Sequence, residues 1–220
     1  MRRLTGTASF AGLLSVPLML ALLIPGPARS GAQDYEPLSA SVRAHLSEAI
    51  SDQVAPYLAF ETERAARDWL SAMSQRLARR MPDRRAREEF LVTVHYEAKR
   101  AGLDPQLVLG LIQVESNFRK YALSRVGARG FMQVMPFWVR LIGYQNHNLF
   151  HLRTNLRYGC VILRHYLDRE SGDLFRALGR YNGSLGQAEY PNLVLRAWRS
   201  DWHFTARTQE GARTHLVAAP

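Results

Sequence analysis

The residue in this sequence best suited to acid–base chemistry is Glu115. It is the one acidic residue between Pro105 and Leu167, and the residues just before it are mostly apolar. An ionised carboxylate in apolar surroundings is unfavourable without a partner, and desolvation raises its pKa. Such a carboxyl either pairs with an arginine or a backbone amide, or keeps its proton near neutral pH and can donate it. Burial and isolation alone do not favour the second alternative.

The element that must position Glu115 is a helix. Asp104 suits the N-cap position, and Pro105 suits the first helical position. The apolar residues that follow leave almost no polar face, which is typical of a helix inside a core. They are Leu107, Val108, Leu109, Leu111, Ile112 and Val114. The sequence therefore predicts Glu115 near the end of a buried helix.

A dense motif begins at Glu115. It comprises Glu115 to Phe118, Ala122, Ser124, Gly127 to Gly130 and Phe131 to Pro136. This order resembles the catalytic signature of the soluble lytic transglycosylases, which runs E-S-x-F, then A-x-S, then G-A-x-G-L-M-Q-x-M-P. Phe131 replaces the leucine of that pattern, which is a mild apolar change.

Two further segments resemble the same family in the same order. Leu149 to Gly159 is similar to its L-F-x-x-x-x-N-x-x-x-G helix, and Ala177 to Gly183 is similar to its A-L-x-x-Y-N-A-G element. The second segment departs at its end, where Gly183-Ser184 replaces Ala-Gly. The resemblance covers roughly Arg84 to Trp198, and three ordered motifs make it specific.

The resemblance implies an all-α, lysozyme-like SLT domain that cleaves the β-1,4 bond between N-acetylmuramic acid and N-acetylglucosamine in peptidoglycan. Water is not a reactant in that family, and the products carry 1,6-anhydro ends. One carboxyl serves as acid and then as base, and this implies both roles for Glu115. Such roles need a pKa of about 6–7. The family implies no cofactor.

The same resemblance implies substrate-binding roles for motif residues. They are Ser116, Ser124, Met132, Gln133, Tyr181 and Asn182. Gln133 would bond to sugar groups, and the Tyr181 hydroxyl would reach the acetamido region or Glu115. Simpler roles stay open: core packing for Met132 and Tyr181, and caps of local backbone for Gln133 and the two serines.

Glu189 is a further candidate for substrate binding. Many relatives carry a glutamate in an E-T-x-x-Y-V segment that helps to bind the glycan strand. Glu189 matches that glutamate if Leu193 replaces the tyrosine. Alternatively Tyr190 stands for the tyrosine, and no acidic match remains.

Two other functions stay open. A hydrolytic muramidase on the same fold would need a second carboxylate or a held water opposite Glu115. A non-catalytic scaffold that binds the cell wall would give no product, and the intact Glu115-Ser116 pair argues against it.

Residues 1–32 have the pattern of a signal peptide. Arg2 and Arg3 precede an apolar run from Phe10 to Pro25, and small residues lie before Gln33. An uncleaved N-terminal anchor in the inner membrane is the alternative. Either interpretation predicts a periplasmic domain.

The charge fits an acidic polymer in the envelope. The formal charge is +10, and it falls to +7 without residues 1–32, which contain three arginines and no acid. A basic exported protein suits the cell wall or an anionic membrane surface. Nucleic acid is a poor partner because the arginines are scattered and no nucleic-acid motif accompanies them.

The remaining chain is predicted as a helical extension over residues 33–82, the SLT domain over 83–202 and a tail over 203–220. The extension either packs on the domain or binds an envelope protein, and the sequence does not determine the oligomeric state. Cys160, the one cysteine, lies in an apolar run and is interpreted as a small core residue. No metal site is predicted, because the histidines lack nearby thiol or carboxylate partners on one face.

Overall fold

The structure is a computed structural model, and it describes residues 33–205. The elements of that range, in chain order, are α1 (Ala40–Ser51), α2 (Glu63–Leu77), α3 (Arg84–Arg100), α4 (Pro105–Ser116), α5 (Phe137–Ile142), α6 (Leu152–Arg169), α7 (Leu174–Asn182), α8 (Glu189–Arg196) and a π-helical turn (Ala197–Asp201). β-structure in residues 33–205 is limited to two isolated bridges. The prediction of an all-α fold is confirmed.

Two predicted segments cannot be compared with this fold. The signal peptide, residues 1–32, lies outside the described residues, and so does most of the tail, residues 206–220. Of the helices between residues 33 and 205, none combines the length and the apolar character that crossing a membrane requires.

Helix boundaries follow the capping signals of the sequence. The Asp83 side chain accepts from the Ala86 amide at the start of α3. Asp104 accepts from the Gln106 amide at 2.8 Å, with Pro105 in the first position of α4. These caps satisfy amides that the helix itself leaves without partners.

Helix α4 lies in the core, as its apolar sequence predicts. Val108, Leu109, Leu111 and Ile112 are completely buried. The helix packs against α3, α8 and the π-helical turn. Gly110 permits the last of these contacts, because a Cβ atom there would lie 2.8 Å from the Trp198 amide nitrogen. The end of α4 is therefore held by elements on several sides.

The N-terminal extension packs on the rest of the chain. Helix α1 contacts α5 and α6, and α2 contacts α3. Leu46, Ile50, Trp69, Met73 and Leu77 are buried in the same hydrophobic cluster as the residues of α4. The extension thus contributes to one continuous core with residues 83–202.

A buried cluster of charges joins the extension to α3 and α6. Glu97 is fully buried and accepts from Arg157 Nη2 at 2.9 Å. Arg157 also donates to the Ile50 carbonyl at 3.0 Å, while the Tyr96 hydroxyl donates to Asp52 at 2.8 Å. Burial would raise the pKa of Asp52, but its hydrogen bonds and the nearby arginines lower it overall. These contacts fix the C-terminal end of α1.

Replacing Arg157 should weaken the whole fold. Arg157→Ala should lower the free energy of unfolding by about 2–4 kcal/mol, because Glu97 stays buried with fewer partners. Urea denaturation followed by tryptophan fluorescence measures this change. Arg64→Ala is the control, since it removes an exposed pair with Asp68 and should leave stability nearly unchanged. Equal losses in the two variants would contradict the role of the buried cluster.

Candidate active site

Glu115 lies at the C-terminal end of α4, one residue before the helix ends. Asn117 then takes a left-handed conformation, with φ at 47°, and turns the chain away. The Glu115 side chain remains partly open to solvent, and the Tyr190 hydroxyl donates to its Oε1 at 2.6 Å. The carboxyl is therefore both accessible and oriented by a single donor from α8.

The surroundings favour the protonated form of Glu115. Burial raises the pKa of Glu115 from its ordinary 4.5 to about 8, and the hydrogen bond from Tyr190 lowers it in part. Among residues 33–205, no second carboxylate and no cation contributes to the shift. Desolvation without a compensating charge gives a carboxylic acid that carries its proton at neutral pH.

Tyr190 is placed as a donor and not as a base. Its side chain is buried, and its pKa lies well above 10.0 because of burial and the neighbouring Glu115. A phenol in that state keeps its proton throughout the neutral range. Tyr190 can therefore stabilise an ionised Glu115 without exchanging a proton with it.

The loop of residues 129–132 is held by Asn155. Its Oδ1 accepts from the Met132 amide at 2.8 Å, and its Nδ2 donates to the Arg129 and Leu149 carbonyls. Gly130, with φ at 76°, comes so close that a Cβ atom would lie 2.4 Å from the Asn155 Nδ2. Two of these three hydrogen bonds position residues 129–132, and the third connects the same buried side chain to Leu149.

Gln133 and Met132 have their side chains directed into the protein. Gln133 takes φ of 47°, and its Nε2 donates to the Ala122 carbonyl at 3.2 Å and the Gly130 carbonyl at 2.9 Å. Met132 is fully buried, and a Cβ atom on Gly159 would lie 2.3 Å from its sulfur. Loop closure and core packing account for these placements, and contact with sugar remains a prediction for both.

The Tyr181 hydroxyl contacts the loop backbone and not Glu115, and its contact with the acetamido region of a substrate remains a prediction. It donates to the Met132 carbonyl at 2.7 Å, and the bond to Glu115 belongs to Tyr190 instead. A buried carbonyl needs a donor, and Tyr181 on α7 supplies it. Tyr190 reaches Glu115 because α8 packs directly on α4. The sequence offered Tyr190 as a stand-in for a family tyrosine, but not as the partner of Glu115.

The other predicted binding residues are placed around the same region with local roles. Ser116 is buried and donates to the Ile112 carbonyl at 3.2 Å, whereas Ser124 accepts from the Ala128 amide at 3.0 Å. Asn182 is buried at the end of α7, and Glu189 is exposed as the first residue of α8. Substrate contact by these four remains a prediction.

Gln33 is a neighbour of the site that sequence reasoning missed. It is buried, its Nε2 donates to the Gln133 carbonyl at 3.1 Å, and its Oε1 accepts from the Met135 amide at 2.8 Å. No local pattern could have indicated a contact across such a separation in sequence.

In the stretch from Gln33 to Thr205, no three histidine, cysteine or acidic residues are grouped as metal ligands would be. Cys160 is fully buried, and burial raises its thiol pKa well above the ordinary value. This environment fits the interpretation of Cys160 as a core residue.

Known proteins are similar to the part of the chain that carries Glu115 and Tyr190. The family model for the transglycosylase SLT domain matches residues 93–192. A transglycosylase of Enterobacteria phage PRD1 is 37% identical over 111 residues, which is 47% of this chain and 41% of that protein. Membrane-bound lytic murein transglycosylase C of Haemophilus influenzae (strain PittEE) is 46% identical over 133 residues, which is 53% of this chain and 35% of that protein. The chain therefore spans less than half the length of these relatives.

A solved structure is also similar. It is the X-ray structure of an inactive mutant of the lytic transglycosylase Slt from Pseudomonas aeruginosa. The TM-score is 0.40 at 17% identity, over 64% of this chain and 34% of that one.

The raised pKa of Glu115 should make stability depend on pH. A carboxyl whose pKa is higher in the folded state stabilises the fold below its unfolded pKa, and that contribution is lost as pH rises. Between pH 4.5 and about 8, wild type should therefore lose stability relative to Glu115→Gln. The difference should reach on the order of 2–4 kcal/mol. Urea denaturation across this range measures it, and parallel pH curves would contradict the assignment.

Proposed function

We propose that residues 93–192, which match the family model for the transglycosylase SLT domain, form a domain of the soluble lytic transglycosylase family and that the chain is a peptidoglycan lytic transglycosylase. It would cleave the β-1,4 bond between N-acetylmuramic acid and N-acetylglucosamine and leave 1,6-anhydro ends. The observation that carries this proposal is the isolated, partly buried Glu115 with a pKa of about 8. One such carboxyl suits a reaction in which the substrate supplies the second reacting group.

In the first step Glu115 acts as a general acid. Its proton goes to the glycosidic oxygen, the bond from that oxygen to C1 breaks, and the released sugar leaves with a hydroxyl group. The acetamido group of the substrate supports the positive charge that develops at C1. Burial favours this step because it keeps the proton on Glu115 until a basic oxygen is placed beside it.

In the second step the same group acts as a base. The ionised Glu115 takes the proton of the C6 hydroxyl, and the C6 oxygen attacks C1 to close the anhydro ring. Glu115 is then protonated again, so the cycle balances without water. The Tyr190 hydroxyl, at 2.6 Å, stabilises the carboxylate between the two steps.

The two rivals have less support. A hydrolase with two carboxylates places them about 5–10 Å apart, and no second carboxylate of residues 33–205 influences Glu115. A non-catalytic wall-binding scaffold would not require a carboxyl group with a raised pKa or a tyrosine that donates a hydrogen bond to it. The hydrolase predicts reducing ends in place of anhydro ends, and the scaffold predicts no product.

The cellular setting follows from the proposed substrate. Peptidoglycan lies in the envelope, and relatives of this chain are named membrane-bound murein transglycosylases. Export to the periplasm through residues 1–32 remains part of the proposal, with an uncleaved anchor as its alternative. An envelope protein bound through α1 and α2 would have to use their outer faces, since the inner faces are packed.

Removing the acid should abolish the reaction. Glu115→Gln should release no soluble fragments from purified sacculi, because no other carboxyl of the described residues is placed to replace it. Mass analysis of wild-type products should find 1,6-anhydro ends. A thermal melt serves as the control for folding. Activity of the variant within tenfold of wild type, or reducing ends as the main product, would contradict the proposal.

Two tyrosine variants separate positioning from packing. Tyr190→Phe removes the donor to Glu115, so the rate should fall roughly ten- to a hundredfold and the pH profile should move upward. The upward direction follows because Tyr190 lowers the pKa of Glu115. Tyr181→Phe is the matched control: it loses the bond to Met132 and should lower stability without moving the profile. If Tyr181→Phe moved the pH profile and Tyr190→Phe lowered only stability, Tyr181 and not Tyr190 would be the residue that orients Glu115.

A further inference from the structure

The first described residues lie against the loop that carries Gln133. The carboxamide of Gln33 makes two bonds to one stretch of backbone: its Nε2 donates to the Gln133 carbonyl at 3.1 Å, and its Oε1 accepts from the Met135 amide at 2.8 Å. Those two backbone atoms form a donor–acceptor pair on one edge of the chain, which we call the amide edge. A carboxamide matches it in the way that a peptide group pairs with a strand.

The amide edge is close to the candidate active site. Gln133 follows Met132, whose carbonyl accepts from Tyr181 at 2.7 Å. Tyr181 is in turn near enough to Glu115 for that carboxyl to raise the pKa of Tyr181. A group bound at the amide edge therefore lies beside residues that surround Glu115.

Further contacts hold the segment of residues 33–36, which we call the N-terminal strap. Tyr35 packs edge-on against Phe137, with ring centroids 5.6 Å apart. Glu36 pairs with Arg180 at 3.2 Å and with Arg169, and all three side chains are partly exposed. Ion pairs of this kind are weak and are screened by salt. The strap is thus docked specifically but without a large buried area.

We propose that the N-terminal strap is an autoinhibitory contact, in which the Gln33 carboxamide occupies an amide edge that an amide group of the substrate must take. This inference rests on the proposed function, because peptidoglycan carries acetamido groups on its sugars and amides in its peptides. An acetamido group presents one N–H and one C=O, as Gln33 does. The two cannot occupy the amide edge together, so the strap must leave before the strand binds fully.

Such a strap lowers the apparent affinity for substrate by the fraction of molecules in which it is open. The strap does not change the reacting groups, because Gln33 forms no hydrogen bond with Glu115 or Tyr190. Its signature is therefore a change in KM without a change in kcat. A residue that supports the loop for catalysis would have the opposite effect, since its loss would weaken binding or turnover.

The test compares Gln33→Ala with wild type in the full chain as the cell produces it. The variant should lower KM for purified sacculi about three- to tenfold at unchanged kcat, because two hydrogen bonds that close the strap are lost. Gln53→Ala is the matched control, as Gln53 is an exposed glutamine of the same extension that bonds to the Ser51 carbonyl. Glu36→Gln should act in the same direction as Gln33→Ala, and Glu48→Gln, on the exposed face of α1, should not.

A second readout does not depend on activity. Hydrogen exchange of the Met135 amide should become at least about tenfold faster in Gln33→Ala, because its acceptor is removed. In the inactive Glu115→Gln background, Gln33→Ala should also bind a trimer of N-acetylglucosamine more tightly, as measured by calorimetry. A thermal melt shows whether each variant is folded.

The outcomes separate the two proposals. If sacculi are cleaved to anhydro products but Gln33→Ala leaves KM and Met135 exchange unchanged, or raises KM, the autoinhibitory strap is overturned. If exchange accelerates but sacculi are not cleaved and the trimer does not bind, the docking of the strap stands and the proposed function fails. Lower KM together with faster exchange supports both.

Discussion

The desolvation of the Glu115 carboxyl group is the constraint on which the surrounding structure depends. Glu115 is carried by an apolar helix in which Val108, Leu109, Leu111 and Ile112 are completely buried, and no cation of residues 33–205 offsets the desolvation of its charge. Its charged form depends on a single donated bond from Tyr190. Desolvation and this hydrogen bond act on the pKa in opposite directions, so the protonated and ionised forms differ little in free energy. A reaction that uses one carboxyl first as acid and then as base requires this.

The pKa of Glu115 depends on packing, because the inner side of α4 must be buried while the carboxyl at its C-terminal end stays accessible. Helices α3 and α8 and the π-helical turn pack against α4, and α8 brings Tyr190 to its C-terminal end. The loop of residues 129–134 has irregular backbone, with Gly130 and Gln133 at positive φ, and isolated bridges satisfy only some of its polar groups, so the others need side-chain partners. Asn155, Tyr181 and the Gln133 side chain supply those partners. Several motif residues thus stabilise the loop through hydrogen bonds that do not depend on any ligand.

The N-terminal extension is part of this arrangement. Its helices share the core, and its end is fixed by the buried cluster around Glu97. The same extension begins with the strap that lies on the amide edge. One segment therefore combines a firmly anchored part with a weakly held one. Such a combination suits a contact that must open while the fold stays intact, since the ion pairs that hold the strap are partly exposed.

The sequence by itself determined the helices, their caps and the burial of Glu115. These features depend on residues within a few positions of each other, as Asp104, Pro105 and the apolar run of α4 illustrate. The motifs likewise predicted Glu115 as the acid. Only the tertiary structure decided which tyrosine meets that acid, because Tyr181 and Tyr190 differ in the orientation of α7 and α8 and not in local pattern. It also decided the contact of Gln33 with a loop 100 residues away. A hydrogen bond requires an atom at a given distance and direction, and periodicity along one chain specifies neither for elements that pack from elsewhere.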